Sequence, residues 1–482
     1  MTPQPVRIAK NTTYLTVAYI VQKILAFLYF VLIARMVGVA DIGKYVFALS
    51  FTSIFGILID LGLSSVLTRE GAKDQNKIKD YLGNIIGIKT ILASLTYIAV
   101  VVAVNLIDKD LLSRQLVYIS GLIMILDSFY LSFYAAFRAQ QSLKYEAIGM
   151  TIGQFIIVSC GATSLLLHLP LHFLVGSILA GSAFNFFYSA VLVFKKFNFL
   201  PTPRVNKALL KVIFKIAIPF AIAGIFARVY GYIDSVLLST LSGDEAVGWY
   251  SAGYKITFAL QFIPMAMSAA LFPAMANYFI VDKTQLARVF EKSMHYLLLI
   301  SMPITFGVFV LANEFIVKMY GTQFAPTTGA LKILIICLVF NFLSFPIGAL
   351  LNACNKQTQN TINMGITMLI NVIFNIILIP FMGAWAYVGA AIAALVGTIT
   401  LFVLGMFYVG GIIRYNKIFL IKGFFKVLVA CVCMTVVIIF LKPMMNFLFL
   451  VPIGGVVYLI VLILLKGINW TEAWDLVGSF RK

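Results

Sequence analysis

Charge is what this chain lacks most. Only 11% of its 482 residues are Asp, Glu, Lys or Arg, under half the roughly 25% of a soluble domain, so a water-solvated globule is excluded. Cysteine is scarce too. Cys160, Cys337, Cys354, Cys431 and Cys433 form no CxxC and no disulfide framework, and read as small apolar packing residues. Of the three histidines, His168 and His172 have a zinc-like spacing, but Pro170 breaks the helix that would align them. They read as a turn between two membrane helices. No Walker loop, GxSxG or HExxH is present. The expectation is a protein that is not an enzyme and holds no metal or cofactor.

Apolar residues fill that space: 62% of the chain is hydrophobic, in blocks near 20 long, enough to cross a bilayer core of about 30 Å. Helical blocks fall near 14–37, 45–67, 83–105, 115–137, 148–168, 172–194, 212–239, 250–275, 293–312, 328–352, 362–380, 387–409, 424–440 and 448–466. The chain reads as an all-α polytopic membrane protein of about 14 spans. Arg7 and Lys10 precede the first block, which is longer than a signal-peptide core and lacks a cleavage site, so it is expected to remain as the first helix.

The net charge of +19 would suit nucleic acid, but the cations sort by topology. The ends of the blocks alternate between cation-rich connections, such as Arg69–Lys79 and Lys195–Lys211, and turns holding only Lys44, Lys109, Arg114, Lys318 and Lys442. By the positive-inside rule both termini are cytoplasmic, as an even number of spans requires. The expected partners are membrane lipids, not nucleic acid.

Lys23, Arg35, Lys89, Lys215, Arg228, Lys255 and Lys332 sit inside the apolar blocks with Asp60, Asp127 and Asp234. Arg35 and Lys255 lie near helix ends and can snorkel. Lys23 lies roughly 14 Å into its helix at 1.5 Å per residue, where a cation costs about 2.5–3.5 kcal/mol. Such charges point to a hydrated cavity or to a buried ion pair. A shift of 205 residues superposes VLIARMVGVADIGKY (31–45) on VLLSTLSGDEAVGWY (236–250), aligning Gly38 with Gly243, Gly43 with Gly248, Tyr45 with Tyr250, and Lys23 with Arg228. Six helices separate the copies, so the halves insert in parallel, a transporter plan with its site between the repeats. The lobes are expected at 1–204 and 205–409, with two added helices and a tail at 410–482.

Polar stripes at helical spacing accompany these charges: Thr12, Thr16, Tyr19 and Lys23; Asp127, Tyr130, Tyr134 and Arg138; Arg228, Tyr232, Ser235 and Ser239; Asn363, Thr367, Asn371 and Asn375. They read as the wall of a wet groove, with interhelical hydrogen bonding the alternative for the Asn stripe. The pairs Gly83/Gly87 and Gly149/Gly153 read as close helix contacts. Pro219, Pro264, Pro273, Pro303 and Pro346 are expected to kink their helices, and 195–211 to serve as the hinge between lobes.

KN at 10–11, LIARMVGVADIGKYVFALSF at 32–51, DLGLSSVLTREGAKD at 60–74, SGDEAVGWYSAGYKI at 242–256 and LFPAM at 271–275 together resemble the polysaccharide-transporter branch of the multidrug/oligosaccharidyl-lipid/polysaccharide exporter superfamily. The resemblance implies twelve helices in two lobes plus two more. It also implies alternating-access flipping of a polyprenyl-pyrophosphate-linked glycan, such as an O-antigen unit, across the cytoplasmic membrane, with other polysaccharide assembly proteins as partners. Lys23 and Arg228 are then the expected headgroup contacts, with Arg35, Lys89 and Lys255 nearer the rims. Tyr19, Tyr130, Tyr134, Tyr232, Asn371 and Asn375 would line the cavity, and Asp127, Asp60 or Asp234 would respond to a coupling ion, H+ or Na+. A lipid II flippase and a multidrug/cation antiporter of the same superfamily are the alternatives.

Overall fold

A computed structural model describes residues 4–199 and 202–468, and the side chains of 18–199, 202–268 and 270–468. Among these residues every regular element is a helix, as hydrocarbon demands: a helix satisfies its own backbone donors and acceptors, and an open strand edge does not. Among the described residues, thirteen apolar stretches are long enough to cross a membrane. One of them, Gln357–Ile412, is 56 residues long, roughly 84 Å at 1.5 Å per residue. It breaks at Gly383, whose φ of 52° favours glycine, into two helices that each suffice. Fourteen crossings follow, as the sequence indicates. Thr12 and Thr16 of the first polar stripe, like Arg7, Lys10, Arg481 and Lys482, lie outside the described side chains.

The chain divides into two compact units, 1–255 with 372–390, and 256–371 with 391–482. Unit 1 begins with α1 (Gln4–Met36), α2 (Val39–Asp60), α3 (Leu63–Lys73), α4 (Ile78–Leu106) and α5 (Leu111–Ala139). It continues through α6 (Lys144–Leu166), α7 (His172–Phe197), α8 (Lys207–Leu241) and most of α9 (Asp244–Ala259). Unit 2 holds α10 (Phe262–Val281), α11 (Lys283–Val310), α12 (Ala312–Tyr320) and α13 (Thr327–Ala353). After α14 (Gln357–Met382) and α15 (Ala386–Ile412), it ends with α16 (Lys417–Leu441) and α17 (Phe447–Leu464).

The helix starts are written locally. Asn206 caps α8 by accepting from Ala208 and Leu209 N–H, and Asp282 caps α11 through Thr284 and Gln285. Pro219, Pro303 and Pro346 lie inside helices. Pro264 instead sits in the first turn of α10, where a missing N–H costs nothing, so the block read at 250–275 is two helices meeting at residues 260–261. Two short helices were not anticipated. The first, α3, buries Leu63, Val66 and Leu67 and keeps Arg69 and Lys73 in solvent, the pattern of an interfacial helix; α12 is the second.

Unit 1 packs Leu82, Phe133, Val193 and Ile213 into one core, and unit 2 packs Phe290, Leu297, Phe342 and Cys431 into another. Outside the cores, Leu95, Phe187, Phe407 and Phe440 stand exposed, an apolar surface suited to lipid. The glycines at 83 and 87 admit the chain at 204–206 instead of another helix. Arg204 N–H donates to the Gly83 carbonyl at 3.0 Å, Asn206 N–H to Asn84 Oδ1 at 2.6 Å, and a methyl on Gly87 would overlap the Arg204 carbonyl. The chain is strapped to α4 there. Gly149 and Gly153 do mark helix contacts, with Tyr134, Tyr188 and Asn185 seated against them.

Candidate functional site

The duplicated turn of the sequence has a structural counterpart. A methyl on Gly43 would overlap the backbone of Asp244, and a methyl on Gly248 would overlap the backbone of Val39. Val39 and Asp244 are themselves 205 residues apart, so the contact is reciprocal, as at a two-fold axis. It joins the first turns of α2 and α9. Lys109 locks this end: its Nζ donates to Asp244 Oδ1 at 2.8 Å and to the Ser239 carbonyl at 2.7 Å, and lies 4.8 Å from the Phe47 ring centroid. Lys44 pairs with Asp110 at 2.6 Å. Burial weighs against the charge on Asp110, but the Lys44 bond and charge together with hydrogen bonds from Ser113 outweigh it and hold the carboxyl below its usual range. Gly43→Val should cost on the order of 1–3 kcal/mol by overpacking, read as a lower melting temperature in detergent. Gly231→Ala, with open space around it, should change little, and equal melting of the two variants would refute the close contact.

Within unit 1 a cavity of about 450 Å³ is walled by α1, α2, α5, α6, α7, α8 and α9. Of the residues expected from sequence, Arg228, Tyr232, Lys255, Asp60 and Asp127 line it. The Arg228 guanidinium lies 6.0 Å from the centroid of Tyr232, and Lys255 Nζ 5.4 Å from that of Phe30. Each ring face partly compensates a cation held in an apolar wall. Asp127 accepts from Ser182 Oγ at 2.6 Å and is flanked by Tyr130 and Arg228. Tyr29, Tyr45, Gln154, Ser50 and Ser53 add hydrogen-bonding groups.

Lys89 does not reach this space. It is fully buried behind Asp60, donating to Asp60 Oδ1 at 2.5 Å, to the Ser128 carbonyl at 2.8 Å and to Ser128 Oγ at 3.0 Å. Asp60 also accepts from Ser64 Oγ at 2.5 Å. This geometry exists because α2 ends in two left-handed residues, Leu61 (φ 41°) and Gly62 (φ 77°), which turn the chain so that Ser64 of α3 returns to the carboxylate. Asp60, 24% exposed, thus stands between the cavity and its buried partner.

The other expected residues take different places. Lys23 and Tyr19 are half-buried on α1, Tyr19 beside the Arg138–Glu146 pair, and Arg35 is exposed. Tyr134 is fully buried and donates to Asn185 Oδ1 at 2.7 Å, with Tyr130 edge-on to it at 5.6 Å. Asp234 is buried, accepting from Tyr250 at 2.6 Å and Asn375 Nδ2 at 2.7 Å. Asn363, Thr367 and Asn371 are buried in unit 2. His172 meets Gln115 at 2.8 Å.

Sequence reading missed Glu146, wholly buried and bound to Arg138 through two hydrogen bonds, one of them 2.7 Å. It missed Ser182 and the Lys109 lock as well. Arg138 and Glu146 flank a single turn, so their opposite charges were a usable signal; Ser182 had none.

Residues 8–279 match the polysaccharide biosynthesis protein family, and residues 219–377 match the MatE family. A probable low-salt glycan biosynthesis flippase of Haloferax volcanii is 23% identical over 80% of each chain. The capsular polysaccharide biosynthesis protein CapF of Staphylococcus aureus is 24% identical over 80% of this chain and 94% of its own. Among solved structures, the lipid II flippase MurJ in an inward closed conformation superposes with a TM-score of 0.74 at 16% identity, covering 93% of this chain and 97% of its own. The chain therefore belongs to the polysaccharide biosynthesis protein family, as a multi-pass membrane transporter of the flippase kind and not an enzyme.

Proposed function

We propose that this protein carries an anionic lipid-linked oligosaccharide, a polyprenyl-pyrophosphate-linked glycan unit, across the cytoplasmic membrane by alternating access. The observation that carries this reading is the pair Arg228 and Lys255 in the wall of one cavity. A phosphate leaving water needs charge-assisted donors, and Arg228 offers a fork while Lys255 offers a point charge. Tyr45, Gln154 and the cavity serines suit sugar hydroxyls. Lys23, related to Arg228 by the repeat, is a further cation on the route. The relatives' glycan and capsule names support the substrate class, and the cation bias supports cytoplasmic termini. The Gly43/Gly248 reciprocity supports two repeated lobes, 1–204 and 205–409, with 410–482 added.

An antiporter of cationic drugs would need a net acidic cavity. Here Asp60 is neutralised by Lys89, which leaves Arg228 and Lys255 against Asp127. Asp127 is the group we assign to coupling by H+ or Na+, because a carboxylate in an apolar helix is readily neutralised. In proteoliposomes, an imposed proton or sodium gradient should speed movement of a lipid-linked oligosaccharide, and Asp127→Asn should abolish that response while leaving basal flux. Gradient-driven uptake of a cationic dye with no oligosaccharide movement would replace this reading with the antiporter.

A further inference from the structure

Unit 2 holds a second cavity, of about 380 Å³, and nothing in the transport reading uses it. It lies between α11, α13, α15 and the first turns of α16, and its wall is almost wholly apolar: Leu298, Leu343, Phe402, Met406, Leu420 and Phe424. The size falls within the range of about 300–1,000 Å³ for small-molecule sites. Water gains little there, since a stable water needs two or more polar partners.

The polar groups gather at one end. Lys417 lines the cavity on the first turn of α16, with Tyr415 just before it and His295 beneath. His295 holds its place because Gly423 has no side chain: a methyl there would lie 2.8 Å from His295 Nδ1, while His295 Nε2 meets the Gly467 carbonyl at 3.2 Å. The α16 N-terminus is capped by Asn416, whose side chain accepts from Phe419 N–H at 3.0 Å. Glu291 of α11 is engaged by the Asn416 N–H at 2.6 Å. Arg414 and Lys422 are exposed beside this end, so with Lys417 three positive side chains stand against the one carboxylate of Glu291. The site therefore has an apolar slot closed by a cationic mouth, on the cation-rich side of the membrane.

We propose that this cavity holds one acyl chain of an anionic phospholipid, with its phosphate on Lys417. The chemistry is that of a basic pocket between membrane helices that captures an anionic headgroup, with the slot adding chain burial. The site is separate from the transport cavity, and its occupancy does not depend on what the protein transports.

The test is native mass spectrometry of the full chain in detergent, with phosphatidylglycerol, phosphatidylcholine of the same chains, and a long-chain polyprenyl phosphate as probes. One phosphatidylglycerol should stay bound under activation that strips phosphatidylcholine. Lys417→Gln should lower that retention about fivefold, the weight of one lysine at a membrane surface. Met406→Trp should abolish it by filling the slot, with Leu420→Phe as a milder filling if the first variant does not fold. Equal retention of the two phospholipids, or phosphatidylglycerol binding that survives a folded slot-filling variant, overturns the proposal. So does displacement of phosphatidylglycerol by equimolar polyprenyl phosphate, which would make the slot a prenyl site.

Discussion

Arg228→Ala is expected to slow oligosaccharide movement by about ten- to a hundredfold at normal membrane abundance, and Lys255→Ala by a comparable factor. A hydrogen bond to a charged group contributes about 1.5–3 kcal/mol, and each 1.4 kcal/mol or so is a factor of ten. Both cations line the unit 1 cavity, each beside an aromatic ring; Arg228 also flanks Asp127, so membrane abundance is read alongside flux for Arg228→Ala. Arg228→Lys should keep more flux than Arg228→Ala, because it retains charge and loses only the planar fork. Lys23→Ala shows whether the repeat-related cation shares the load: a loss equal to that of Arg228→Ala puts both on the route, and normal flux leaves the work to Arg228 and Lys255. Wild-type flux in both the Arg228→Ala and Lys255→Ala proteins would end the case for an anionic headgroup in this cavity.

Lys89→Met should act on folding instead. Lys89 is wholly buried and bridges α4 to Asp60 of α2 and Ser128 of α5. Removing one partner of a buried pair costs about 3–5 kcal/mol, because the other charge is left behind, whereas replacing both partners is often tolerated. The expected result is a sharp fall in melting temperature and membrane abundance for Lys89→Met, with substantial recovery in the Lys89→Met/Asp60→Asn double variant. A Lys89→Met protein that melts normally yet fails to transport would return Lys89 to the transport site.

Several features could be read from residues alone because the bilayer imposes a local criterion. A helix spans it if some 20 consecutive residues are apolar, a one-dimensional test that yields the fourteen crossings without any packing. The cation bias is equally linear. The repeat was legible as well, since the glycines at 43 and 248 must lack a side chain wherever two backbones touch, and that requirement survives as identity at a fixed offset.

The pairing of the charges was decided by tertiary structure. Spacing along one helix gives a face but not the neighbour it meets. Asp60 and Lys89, 29 residues apart, join only because α2 breaks at Leu61–Gly62 and α4 packs beside it. The same packing placed Lys255 in the cavity wall with Arg228, closed Asp234 between Tyr250 and Asn375, and seated a linker backbone on Gly83 and Gly87. Hydrophobicity is a property of each residue in turn, so the sequence determined what enters the membrane. Partner choice depends on the rotation and crossing of whole helices, so only the folded chain determined which buried charges are structural and which face the cavity.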